Sequence, residues 1–378
     1  MMRDKIYTTD WHRFWSAVFL IAGMSIGASE LGLPVVLRFS GYLPAVVAMF
    51  VVYICMLASG ILLSRLFMAE RERDLPALFH KYLGKGGALL FNISYFALAF
   101  CLLVAYWSGL HGILHNFNVG LPVTIMIGVL IYYGLRNNLK FLCGANSALT
   151  IGLILSFIFI VVASLRGESL SLFSSACWSQ LPKSLPIILC SYGYHQVIPM
   201  ICEQLDYDAR SVNRALLCGT LFPLVFNIVI LTVAFRLFSV DELSEAAKLE
   251  LPVFVLLKQH FNSNFFTYAG RCFSLFAIST SLLAVSMAMR GALRDVFRGK
   301  KVLQNSTEML IIVPMFVAIL KPELFFTLLG LCGGIFGNLM AGILPVTPFL
   351  GGKFFKLRYL LLWLVFVAIF IIECINLM

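Results

Sequence analysis

Two apolar segments of this 378-residue chain carry, at matching places, residues that a membrane helix does not ordinarily hold. The first reads Ala22-Gly-Met-Ser-Ile-Gly27-Ala-Ser-Glu-Leu-Gly-Leu-Pro34, and the second reads Leu189-Cys-Ser-Tyr-Gly193-Tyr-His-Gln-Val-Ile-Pro199. Each puts glycine and small polar residues mid-segment, with a proline shortly after Gly27 or Gly193. A helix that unwinds at membrane depth frees backbone N–H and C=O groups, and hydrocarbon tolerates them only if protein, water or a ligand satisfies them. Breaks in corresponding positions of two halves point to the binding site of a secondary carrier. The spacing Gly23-x-x-x-Gly27 also serves close helix packing, so it is the mirrored break and proline that favour a site.

Side chains beside the breaks add chemistry. Glu30 and His195 are the acidic and imidazole groups that accompany them. An ionisable group inside a membrane is a functional candidate by default, the plain alternative for Glu30 being a wet outer vestibule. His195 offers a proton relay, a hydrogen bond to a ligand, or a packed neutral imidazole. Ser279, Thr280 and Ser281 would suit a sodium ion, although membrane hydroxyls commonly bond their own helix backbone.

The elements that must position these groups are membrane helices. Hydrophobic residues make up 61% of the chain and charged residues 12%, against roughly a quarter charged in soluble domains. The mean hydropathy is +0.94. Stretches near twenty apolar residues give eleven spans, at 14–37, 42–67, 87–109, 120–135, 146–165, 185–203, 213–237, 267–289, 306–320, 323–349 and 358–377. Because the first run continues to Leu37 and holds the first break, it reads as a span and not as a cleaved leader. The ten cysteines include no C-x-x-C pair and mostly fall inside spans, where they read as packing residues. No metal or cofactor is expected.

Charge sets the orientation. A net charge of +10 would suggest nucleic acid in a soluble protein, but here the charges lie between apolar runs. The N-terminal tail and every second connection carry 20 lysines and arginines, against 7 in the other set. The positive-inside rule then places the N-terminus in the cytoplasm and the C-terminus outside, with lipid and not nucleic acid as the partner of the apolar surface. The clusters 70–74 and 290–301 read as solvated cytoplasmic loops, and Arg236, Arg271 and Glu373 as residues near external helix ends. The external segment 241–261, with its apolar run 251–257, has the composition of short helices over the mouth or of a plain surface loop.

The layout has an internal symmetry. The break recurs five spans later, and five is odd, so the second half is inverted. A single domain over 1–378 results, with a first repeat at 14–165, a second at 185–349 and an extra helix at 358–377.

At this point the residues resemble a known family, the hydroxy/aromatic amino acid permeases, which include the bacterial tryptophan and tyrosine permeases. The stretch Gly27-Ala-Ser-Glu-Leu-Gly-Leu-Pro34 resembles that family's G-A-G-x-L-A-x-P, and Ser191-Tyr-Gly-Tyr-His195 with Ile198-Pro199 resembles its S-F-G-F-H…I-P. Phe276-Ala-Ile-Ser-Thr-Ser281 with Leu293-Arg-Asp295 is loosely similar to its T-S-F-L-G…D, and Gly333-Gly-Ile-Phe-Gly-Asn-Leu-Met-Ala-Gly-Ile-Leu-Pro345 to its G-G…G-I-L-P. Ser29 stands where the family has glycine and Glu30 where it has an apolar residue. The resemblance implies an all-α polytopic fold of the leucine-transporter type, with the inverted five-plus-five repeat and one extra helix. It implies import of an amino acid, aromatic in kind, driven by a proton gradient.

An amino acid is a zwitterion. A half-helix N-terminus attracts its carboxylate and C-terminal carbonyls attract its ammonium. Gly23, Ser25, Ile26 and Gly27 would hold both by backbone. Ser191, Tyr192 and Gly193 would complete the cradle, and Tyr194 and His195 would face an aromatic side chain. His195 and Glu30 are the candidates for a coupling proton, and Ser279 and Thr280 for sodium. Sodium-coupled carriage of another neutral amino acid is the alternative. A membrane-embedded enzyme is disfavoured, since no nucleotide-binding or H-E-x-x-H motif is present and the six histidines are scattered. A channel is disfavoured because mid-span breaks suit an occluding site.

Overall fold

Long apolar runs with few breakers leave the backbone one way to satisfy itself in lipid, which is the α-helix. The structure, a computed structural model, describes residues 2–71, 75–115, 119–165, 176–249, 264–297, 307–351 and 356–378, together with Pro252 and Phe254. All its regular elements are helical. Among the described residues eight helices are long and apolar enough to cross a membrane, and a bent pair makes a ninth.

The helices that carry the argument are α1 (Met2–Ser25), α2 (Leu33–Leu37), α3 (Tyr42–Glu70), α4 (Leu75–His115), α5 (Gly120–Asn137) and α6 (Leu139–Ser164). After them come α7 (Leu185–Cys190), α8 (Ile198–Gln204), α9 (Ala209–Leu237), α10 (Val240–Lys248) and α11 (Asn264–Val296). The last three are α12 (Thr307–Leu320), α13 (Phe325–Leu331) and α14 (Leu357–Asn376). Each sequence-predicted span falls on helix. The fourth is the 18-residue α5, and the ninth is the 14-residue α12, a shorter apolar helix.

Both breaks are present. α1 and α2 meet at 48°, and α7 and α8 are separated by a turn and one tight helical turn at His195–Val197. In each case the proline, Pro34 or Pro199, lies in the first turn of the second half-helix, where its missing N–H costs nothing. The first break lies later than the glycine spacing suggests. α1 runs through Gly23 and Ser25, with Ile26 N still bonded to Ala22 O at 2.8 Å, and unwinding begins at Gly27, whose backbone is extended. A third irregularity follows α13, where Cys332–Gly337 and Leu339–Ile343 form wide π turns.

Packing sorts the helices into two groups. α1 and α3 pack on α9, and α3 also on α7 and α8; α4, α6, α11 and α12 form the other group, with α5 against it. The chain from α13 through the π turns touches both. Small residues allow the closest approaches. A Cβ on Gly219 would fall 2.6 Å from Ile21, and one on Gly333 1.8 Å from the Pro186 carbonyl. The last helix is anchored inward by Asn338 Nδ2, which donates to Phe366 O at 2.8 Å. Glu373, read from sequence as an interfacial residue, is buried, with its side chain against Gly330 and Gly334.

Part of the connection after α9 is a short helix, as its composition allows. α10 is closed by a capping box between Ser239 and Glu242 and meets the end of α2 through Arg38 Nε to Ser244 Oγ at 3.1 Å. Phe254 is buried and packs edge-on against Phe273 with ring centroids 5.4 Å apart. The rest of the apolar run 251–257, and the clustered charges at 72–74 and 298–301, lie outside the described residues.

Candidate functional site

A cavity of about 560 Å³ opens between the two helix groups, against both breaks. Gly23, Ser25, Ile26, Gly27 and Ser29 line it from the first break, and Cys190, Gly193 and Gln196 from the second. Thr280 and Ser281 on α11 face it, as do Tyr106 on α4 and Asn146 and Thr150 on α6. Apolar walls come from Tyr95, Phe157, Phe226 and the π turns of the tenth segment. No acidic, basic or histidine side chain lines it among the described residues.

The first break shows the cavity mainly backbone. Gly27 has no side chain to interpose, and a Cβ there would sit 2.5 Å from Ser281 Oγ. The N–H of Gly27 is not free. It donates to Glu30 Oε2 at 2.7 Å, so the acid starts its own half-helix as the far member of a capping box. Ser29 Oγ donates to the same oxygen at 3.4 Å. Glu30 is 1% exposed, which rules out the wet vestibule, and its Oε1 is buried without a hydrogen-bond partner.

The second break turns its side chains away from the cavity. Ser191 Oγ donates to Ile188 O at 2.8 Å and accepts from Asn227 Nδ2 at 3.0 Å. The hydroxyls of Tyr192 and Tyr194 donate to the carbonyls of Met49 at 3.4 Å and Met56 at 3.0 Å, both on α3. The Tyr194 ring overlies Gly60, where a Cβ would lie 2.1 Å from its hydroxyl. His195 is buried beside that ring, with centroids 4.5 Å apart, and both its nitrogens lack partners.

The structure therefore brings Gly23, Ser25, Ile26, Gly27, Gly193 and Thr280 to one cavity and leaves Ser191, Tyr192, Tyr194, His195 and Glu30 behind its wall. Ser279 does not line it, and Ser281 does. Helical spacing explains this, since Thr280 and Ser281 start a stripe that recurs at Ala284, Val285, Ala288 and Met289, and Ser279 lies off it. Thr280 Oγ1 also accepts the bland role, donating to Phe276 O at 2.9 Å. Tyr106, Gln196 and Asn227 escaped the sequence reading. Tyr106 comes within hydrogen-bonding reach of Ser281, but no break marks its segment. Asn227, a fully buried carboxamide in the middle of a span, carried a signal, because such groups seek partners across helices.

The sequence profile of the tryptophan/tyrosine permease family matches residues 11–358. The tyrosine-specific transport system 1 of Haemophilus influenzae is 25% identical over 354 residues, covering 88% of this chain and 86% of that protein. The tryptophan-specific transport protein of Shigella flexneri is 25% identical over 353 residues, covering 87% and 84%. The crystal structure of MhsT in complex with L-phenylalanine superposes with a TM-score of 0.59 at 14% identity, covering 95% of this chain and 97% of that one, so the two share a fold.

Proposed function

Since the chain belongs to the tryptophan/tyrosine permease family, whose named relatives are transport proteins and not enzymes, we propose that it imports an aromatic amino acid, tyrosine or tryptophan, by symport with a cation. The observation that carries this is the cavity at the two breaks. It presents unwound backbone and neutral hydroxyls at one end and Tyr95, Phe157 and Phe226 nearby. A volume of about 560 Å³ suits an amino acid of this size. The phenylalanine in the MhsT complex supports the same class of ligand.

The carrier has eleven spans in an inner membrane, its N-terminus cytoplasmic, and the repeats 14–165 and 185–349 are inverted. In that orientation Phe19, Ala288 and Met289 belong to cytoplasmic halves of their spans, and all three line the cavity. The cavity thus extends into the cytoplasmic halves of these spans, and access alternates by movement of the α1, α3 and α7–α9 group against the α4, α6, α11 and α12 group. The proton is the coupling ion, carried by Glu30 or His195, each buried with unpartnered polar atoms beside a break. The specific observation for sodium is that Thr280 and Ser281 face the unwound backbone.

The test is uptake of labelled tyrosine, tryptophan, phenylalanine and leucine into proteoliposomes, with pH and sodium gradients imposed separately. Concentrative uptake of the aromatic substrates under a pH gradient is expected. Accumulation that requires sodium and ignores pH would move coupling to Thr280 and Ser281. Absence of accumulation under either gradient would overturn the carrier reading.

A further inference from the structure

The first break already holds the negative group that a ligand would be expected to bring. Glu30 Oε2 occupies the Gly27 N–H at 2.7 Å, and its other oxygen is buried and unpartnered. The carboxyl lies directly behind Gly27 and Ser29, which form the cavity wall. The titratable groups on neighbouring elements that interact with its charge are Tyr106 on α4 and Cys190 and Tyr192 at the second break. None of these is a cation, and no lysine, arginine or histidine lines the cavity among the described residues. On the opposite side of the break α1 ends at Ser25, and the last carbonyls of a helix carry partial negative charge. With Glu30 ionised, its charge outweighs the partial positive charge of the half-helix it caps, and both sides of the gap are negative. A buried carboxylate in such a place takes up a proton or recruits a cation.

We propose that Glu30 sets the class of head group that the cavity takes, and that aromatic primary amines lacking a carboxylate are ligands alongside aromatic amino acids. An amine leaves Gly27 N–H with Glu30 and places its ammonium at the α1 carbonyls on the cavity side of Gly27, where the carboxylate behind the wall attracts it through space. An amino acid must bring its own carboxylate to the same half-helix end, and the two acids share it only when Glu30 is protonated. One positive charge enters the break in both cases, carried by the amine itself or by a proton together with the zwitterion. The inference rests on the cavity being the substrate site proposed above.

The experiment measures tyramine and tyrosine binding to the purified full-length protein in lipid nanodiscs, for the wild type and for Glu30→Gln. Both compounds are expected to bind the wild type, with tyramine gaining on tyrosine as the pH is raised. In Glu30→Gln the affinity for tyramine relative to tyrosine is expected to fall about tenfold, the scale of one charge–charge attraction across the thickness of the wall. Tyrosine binding without tyramine binding in the wild type overturns the proposal and leaves the amino-acid reading standing. Tyramine binding alone supports the proposal and removes the amino-acid reading. Binding of neither overturns both. The wild-type measurements decide these outcomes even if Glu30→Gln fails to fold, and an unchanged tyramine-to-tyrosine ratio in a folded variant also counts against the proposal.

Discussion

At the first break the backbone meets the cavity, and the one large polar side chain, Glu30, folds back to cap Gly27. At the second break the backbone reaches the cavity chiefly at Gly193, while two tyrosines reach away from it to carbonyls of α3. The two breaks look alike as strings of residues but divide the work. One lines the cavity where a ligand is proposed to bind. The other ties an unwound segment to α3 through two tyrosine hydroxyls. Two breaks alike in sequence need not be alike chemically, because only one face of each can look at the cavity.

That contrast can be broken first at the anchor. Gly60→Ala puts a methyl 2.1 Å from the Tyr194 hydroxyl and 2.9 Å from the ring. Overpacking of this kind costs about 1–3 kcal/mol, so the variant should show a lower melting temperature and poor recovery of folded protein. Adding Tyr194→Phe removes the nearest clashing atom and should restore part of the loss. An undiminished melting temperature for Gly60→Ala would mean that Tyr194 is not an anchor.

The next effect concerns coupling. Glu30→Gln and His195→Gln should each be assayed for accumulation and for exchange of labelled substrate in proteoliposomes. The residue that carries the proton is expected to lose accumulation while exchange continues. If both variants still concentrate substrate under a pH gradient, neither group carries it.

At the cavity-facing break, Gly27→Ala meets Ser281 Oγ at 2.5 Å. Uptake should fall about tenfold, the equivalent of 1.4 kcal/mol, with the protein still folded. Ser281→Ala in the same chain should recover some of it, since the remaining contact, to the Ser281 Cβ, is an ordinary 3.6 Å. If the double variant is no better than Gly27→Ala, the loss comes from the ligand side of the glycine.

The smallest effect sharpens the comparison. A Cβ on Gly193 meets only Cys190 O, at 3.4 Å. Gly193→Ala should therefore leave the melting temperature within measurement error and change apparent affinity less than Gly27→Ala. An equal or larger loss of affinity would make the second break the main ligand contact.

Much of this was legible in the chain alone. Apolar length, the proline and glycine punctuation, and the family resemblance located both breaks to within a few residues and the cores of the long helices, because in lipid the backbone has so few choices that composition nearly dictates them. What the linear order does not encode is direction. Ser191, Tyr192, Tyr194 and His195 sit beside Gly193 yet point behind the wall, since the turn between α7 and α8 aims them at α3 and α9. Ser281 faces Gly27 although 254 residues part them in sequence, Tyr106 lines the cavity from α4, and Asn227 on α9 holds Ser191 behind its wall. Glu30 was visible as an anomaly, but that it caps its own half-helix depends on where unwinding stops, a matter of one turn of helix. Side-chain direction is set by the packing of helices distant in sequence, and the tertiary structure alone decided it.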